Sequence, residues 1–203
     1  MSKLDESLGD FLPDRTLAGR LAQALNSASG KGYVSYEEIE REAAGDAEDV
    51  LLLGFGWRLL LPVRTKRCAE WDDRILLAEP GEIYELPNIV KWLVDDASKT
   101  GKWNPERALT DLFRTMREPA WKQIPILVEQ LMERSQNHRI SAIQIKETCE
   151  GLGLGDRVDG LIAELKGSGV MSPQLRPMTD LAKTQEGPLY ELNPCLFILA
   201  KQE

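Results

Sequence analysis

Three cysteines, one histidine and a few repeated carboxylates are the side chains in this chain whose types suit chemistry. Cys68, Cys149 and Cys195 stand far apart, with no Cys-x-x-Cys pair and no even disulfide framework. Reduced thiols in a cytoplasm are the simplest reading. His138 alone cannot build a zinc site without several cysteines at ligand spacing. The run Gly151-Leu152-Gly153-Leu154-Gly155 lacks Gly-Lys-Ser/Thr and follows a helical pattern rather than a strand, so the context of a phosphate loop fails. Asp46 with Asp49, and Asp156 with Asp159, are paired carboxylates of the kind used for acid–base or metal chemistry. Each pair also fits a helix N-cap plus a first-turn acid that complements the helix dipole. No nucleophile, base and oxyanion donor converge. The expectation is a protein that is not an enzyme, with no catalytic, metal or cofactor-binding residues and no cofactor.

Binding chemistry is more visible. Arg64, Lys66, Arg67 and Arg74 form the one basic cluster, diluted by Glu70, Asp72 and Asp73, and are the candidate nucleic-acid contacts. Among the five tryptophans, Trp57, Trp71, Trp103 and Trp121 are candidate protein-interface aromatics, and Trp92 completes the set. The net charge is −8, and residues 1–50 alone hold 5 basic and 11 acidic residues. Such a balance favours solubility and disfavours non-specific adhesion to nucleic acid or anionic membrane. The longest apolar stretch, residues 50–63, is interrupted by Arg58 and is too short to span a bilayer. The polar, acidic first ten residues do not form a signal peptide.

The elements that must position these residues occur twice. Gly81-Glu82-Ile83-Tyr84-Glu85-Leu86 matches Gly187-Pro188-Leu189-Tyr190-Glu191-Leu192 at four of six positions, with an offset of 187 − 81 = 106. The same offset lays Val34-Ser35-Tyr36-Glu37-Glu38-Ile39 on Ile140-Ser141-Ala142-Ile143-Gln144-Ile145. In both, a serine caps a helix, Glu38 or Gln144 completes a capping box, and two aliphatic residues staple the turn. Upstream, Leu21, Ala22 and Leu25 fall on Leu127, Val128 and Leu131 at helical spacing. Cys149 falls on Ala43 and Cys195 on Ile89, which predicts small buried core residues.

Each copy reads helix, helix, helix, strand, loop, strand. In the first copy these are residues 15–27, 36–44, 47–55, 59–64 and 82–86, with a polar loop over 64–81. In the second the strands fall near 170–172 and 189–192, and each copy should enter a further helix after its Tyr-Glu-Leu. Three helices followed by a hairpin resemble the winged variant of helix-turn-helix. The resemblance implies a mainly α (α+β) chain of two winged-helix domains arising from an internal duplication. The divisions are an N-terminal extension 1–14, domains 15–97 and 123–203, and a helical linker 98–122.

DNA is the partner that winged helices usually imply. Here the start of each third helix, where bases would be approached, carries Asp46, Glu48 and Asp49 or Asp156 and Asp159. The expectation is therefore a protein-interaction adaptor, with a DNA-binding transcriptional regulator as the alternative. A homodimer is compatible with either, and no membrane partner is expected.

Overall fold

The computed structural model describes residues 2–65, 70–71, 73–174 and 187–198. Among these it contains nine α-helices and two three-stranded antiparallel sheets, a mainly helical α+β chain. No helix among the described residues is long and apolar enough to cross a membrane.

The two capping serines set the frame. Ser35 Oγ accepts from the Glu38 N–H at 3.3 Å while Glu38 Oε2 accepts from the Ser35 N–H at 3.0 Å. Ser141 and Gln144 repeat both bonds at 3.3 and 3.0 Å. Two orphan donors of each helix start are thereby satisfied. The aliphatic residues around each cap, Val34 with Ile39 and Ile140 with Ile145, are buried.

The order in the first half is α1 (Lys3–Gly9), α2 (Arg15–Ser29), β1 (Tyr33–Ser35), α3 (Tyr36–Ala43), α4 (Ala47–Gly56), β2 (Leu61–Pro62), β3 (Ile83–Glu85) and α5 (Asn88–Thr100). Then α6 (Pro105–Thr115) leads to the second half. That half comprises α7 (Ile124–Arg134), β4 (Arg139–Ser141), α8 (Ala142–Gly151), α9 (Val158–Gly167), β5 (Met171–Pro173) and β6 (Leu189–Leu192). Single 3-10 turns occupy Gly155–Arg157 and Pro194–Leu196.

The sheets have the orders β1-β3-β2 and β4-β6-β5. Tyr84 pairs with Val34 on one side and Pro62 on the other, and Tyr190 pairs with Ile140 and Pro173. Both tyrosines thus sit on central strands with the same pairing register.

Four expectations need correction. The hairpins are not two-stranded, because residues 33–35 and 139–141 add a third strand to each sheet. Three residues are too few to register as alternation, and the last of them is also the helix N-cap. The expected strand 59–64 shrinks to two residues, since Leu59 and Leu60 donate backward to the Gly54 carbonyl at 2.8 and 3.2 Å. The segment 1–14 is no loose extension. It holds α1, whose Leu4 and Leu8 are buried with Leu12, and Lys3 Nζ donates to the Lys99 carbonyl at 2.6 Å. After Leu192 a single 3-10 turn stands where α5 stands in the first half, and residues beyond 198 lie outside the described set.

Candidate interaction surfaces

Of the basic cluster, Arg64 and Arg74 are among the described residues. Lys66 and Arg67 lie outside the described residues, as does Cys68. Arg74 points inward with its side chain 3% exposed, donating to Glu85 Oε1 at 2.7 Å and to the Pro62 carbonyl at 3.2 Å. Arg64 is exposed but engaged, pairing with the buried Glu82 and with Glu79 at 3.2 Å. The carboxylates around it hold its charge more firmly than usual. Arg74 Nη1 is therefore engaged within the chain, and the side chain lies apart from the exposed Arg64.

The acidic helix starts differ from the capping reading. Asp46 is the N-cap residue of α4 but makes no side-chain cap bond, and it pairs with Arg20 instead. Asp156 lies in the 3-10 turn, so Arg157 occupies the N-cap of α9. Glu48, Asp49 and Asp159 stay in the first turns, where the helix dipole favours them. The outer face of α4 presents exposed Glu48 and Asp49 with Leu52, which is 60% exposed. Burial pushes the Tyr36 hydroxyl up, and Glu40 and Glu48 nearby push it the same way.

Trp71 and Trp103 are buried, and Trp57, Trp92 and Trp121 are half-buried. Trp103 is 5% exposed, and its Nε1 donates to the Cys195 carbonyl at 2.9 Å. Trp71 is buried, and its backbone N–H donates to Ser172 Oγ at 2.9 Å. Phe11 meets the rings of Trp57 and Trp103, each at 5.3 Å between centroids. Trp121 is half-buried beneath Arg114 and Lys122. Trp92 is half-buried against the core. Trp71 and Trp103 are consumed by contact within the chain and are not open to a partner.

That contact contains residues the sequence did not single out. Arg58 sends Nε to Glu191 Oε1 at 3.0 Å and Nη2 to Oε2 at 3.2 Å, a bidentate pair whose side chains are 13% and 11% exposed. Arg58 has φ +53°, a left-handed conformation that side chains rarely adopt, and its carbonyl accepts from Asn193 Nδ2 at 3.3 Å. Ile89 donates to the Ser168 carbonyl at 2.9 Å, so the start of α5 abuts the end of α9. Gly169, at φ +77°, lies so close that a Cβ there would stand 2.5 Å from Pro87 Cβ. An isolated arginine and an isolated glycine carry no periodic signal. The repeated glutamate of Tyr-Glu-Leu was the one visible hint.

A second polar cluster joins the linker to α9. Arg157 grips both oxygens of Glu118, whose side chain is fully buried, and lies 4.0 Å from Glu164. Arg157 holds the Glu118 carboxyl well below the usual range. Burial, and then Glu118 itself, push Glu164 up to about 7.

Cys149 and Cys195 are free and buried, and burial pushes both thiols up. His138 sits at φ +62° against the Phe197 ring, in a loop position. Among the described residues no group of three or more His, Cys, Asp or Glu side chains could hold a metal ion.

A family model matches residues 3–203, and the chain belongs to that family. No curated protein and no solved structure matches it. The family match spans both halves and the segment between them.

Proposed function

We propose that the chain is a tandem winged-helix protein, two diverged copies of one domain, that acts as a protein-binding adaptor. Support for the duplication is the shared sheet order, the shared pairing of Tyr84 and Tyr190, and the two capping boxes. The element order strand, two helices, strand, wing and strand supports the winged-helix assignment.

The observation that carries the adaptor reading is the outer face of α4. Where a DNA reader needs cations, it offers Glu48, Asp49 and a largely exposed leucine, Leu52. A leucine beside carboxylates suits an apolar anchor with a polar rim, the usual anatomy of a protein interface.

The test places a photo-reactive phenylalanine analogue at position 52 and, as control, at the comparably exposed Ile126. Ultraviolet-dependent protein adducts from position 52 alone are expected in the native cell. In parallel, random duplex DNA is titrated at low and moderate salt. Submicromolar binding that survives moderate salt would overturn the adaptor in favour of a DNA-binding regulator.

A further inference from the structure

The two halves enclose a cleft of about 490 Å³ whose walls come from both. Leu61, Trp71 and Pro87 give the first half an apolar wall, and Ala163, Gly167 and Gly169 leave the opposite wall without bulk. Domain junctions and volumes of a few hundred Å³ are where small-molecule sites form.

The polar groups of the cleft are unevenly charged. Arg74 lines it with a side chain that is 3% exposed, and although Nη1 is engaged, its buried Nε–H has no hydrogen-bond partner. A buried donor left unmade is costly, and in a native structure it calls for an explanation. Lys166 stands exposed at the rim, and its ammonium makes no ion pair among the described residues. Asn88, the first residue of the 13-residue α5, also lines the cleft. That helix start has no side-chain cap and no acidic residue in its first turn, and the Ser168 carbonyl accepts its Ile89 N–H at 2.9 Å. Among the described lining residues two cations stand against one carboxylate, Glu85, which already accepts from Arg74. The balance is one positive charge, in a chain of net charge −8.

We propose that this cleft binds a small organic monoanion, an aromatic or aliphatic group bearing one carboxylate. Arg74 and Lys166 hold the carboxylate, while Leu61, Trp71 and Pro87 hold the apolar part. A dianion fits less well, because Glu85 shares the cleft with the cations.

The experiment uses the full chain, isotope-labelled, with phenylacetate as the probe and the backbone amides of Asn88, Gly167 and Gly169 as reporters. Saturable shifts confined to the cleft are expected, with a Kd on the order of 1 mM for so small a ligand. Benzylamine, of similar shape and opposite charge, is expected to leave these amides unmoved. Lys166→Glu, an exposed change that spares the fold, is expected to weaken phenylacetate by about tenfold. Arg74→Met is the stronger change, and Lys166→Glu keeps the test valid if that variant fails to fold. Absence of shifts at all three amides, equal shifts with benzylamine, or an unchanged Kd in Lys166→Glu would each overturn the proposal. Tighter binding of phenyl phosphate than of phenylacetate would overturn the monocarboxylate assignment.

Discussion

Glu85 and Glu191 hold the same place in the two central strands, each following the tyrosine that pairs with Val34 or Ile140. Each accepts an arginine, but the arginines come from different sources. Glu85 takes Arg74, from the segment between β2 and β3 of its own half, and Glu191 takes Arg58, from the other half. One sheet position thus binds an arginine of its own half in the first half and fastens the two halves in the second. The partners follow the same division. Ser172, beside Glu191 on the neighbouring strand, accepts from Trp71 of the first half, whereas Leu61, beside Glu85, lines the cleft. Similar sheets can therefore serve different neighbours through which residues approach one face.

Breaking the two pairs should separate these roles. Glu191→Ala leaves Arg58 nearly buried and uncompensated, and is expected to cost about 3 kcal/mol. Because the pair bridges the halves, urea unfolding should also lose cooperativity, giving two transitions or a lowered slope. Glu85→Ala strands Arg74 in the same way, so its cost should be comparable, but the broken pair lies within the first half and a single transition should remain. Two transitions in both variants, or in neither, would erase the distinction drawn between them.

Glycines give a smaller contrast on the same seam. At Gly169 an alanine meets Pro87 and a left-handed backbone together, and is expected to cost about 2 kcal/mol. At Gly160, inside α9, a Cβ meets nothing within 4 Å, so Gly160→Ala should stabilise by about 0.5–1 kcal/mol. Thermal midpoints of the two variants check both signs.

Legibility in the sequence followed the range of the physics. Capping boxes, staples and apolar stripes are local, so the starts of α2, α3 and α4, near residues 15, 36 and 47, were readable, and β6 matched residue for residue. Strands of two or three residues were not, because alternation needs more length. Leu4, Leu8 and Leu12 do form a helical stripe, yet the polar residues between them drew the reading toward an extension. Arg74 was grouped with its sequence neighbours as a surface cation, whereas its partner Glu85 comes from a strand that folds back beside it. Arg58, Glu191 and Asn193 meet only when the halves do, and nothing within either half announces it.

The cluster of Glu118, Arg157 and Glu164 predicts a pH dependence of stability. The folded Glu164 titrates near 7, above its ordinary value of 4.5. The stability from its protonated form is therefore full below about 4.5 and lost as pH rises through about 7. Glu118 is shifted the other way, so its contribution is present above 4.5 and lost as pH falls through its lowered value. Urea midpoints of the native chain should fall between about pH 6 and about pH 8. Glu164→Gln, uncharged throughout, should flatten that fall. An equal fall in the variant would move the titration to another group.

The smallest expected effect concerns the two buried thiols. Cys149 stands where the first half has Ala43, and both are buried in their cores. Cys149→Ala removes one sulfur atom from a site whose counterpart tolerates alanine, so a loss of no more than about 1 kcal/mol is expected. Cys195 is equally buried, but its carbonyl accepts from Trp103 Nε1 and it follows Asn193, whose amide reaches the Arg58 carbonyl. It therefore belongs to the contact between the halves, while Cys149 belongs to the interior of one. In a Cys68→Ser background both thiols should react with a disulfide reagent only through opening of the structure. Adding Glu191→Ala should then accelerate Cys195 more than Cys149, because it loosens the seam before it unfolds the second half. Equal acceleration of both thiols would mean that the seam and the second half open as one unit, and that the division between Glu85 and Glu191 describes contacts without separate stability.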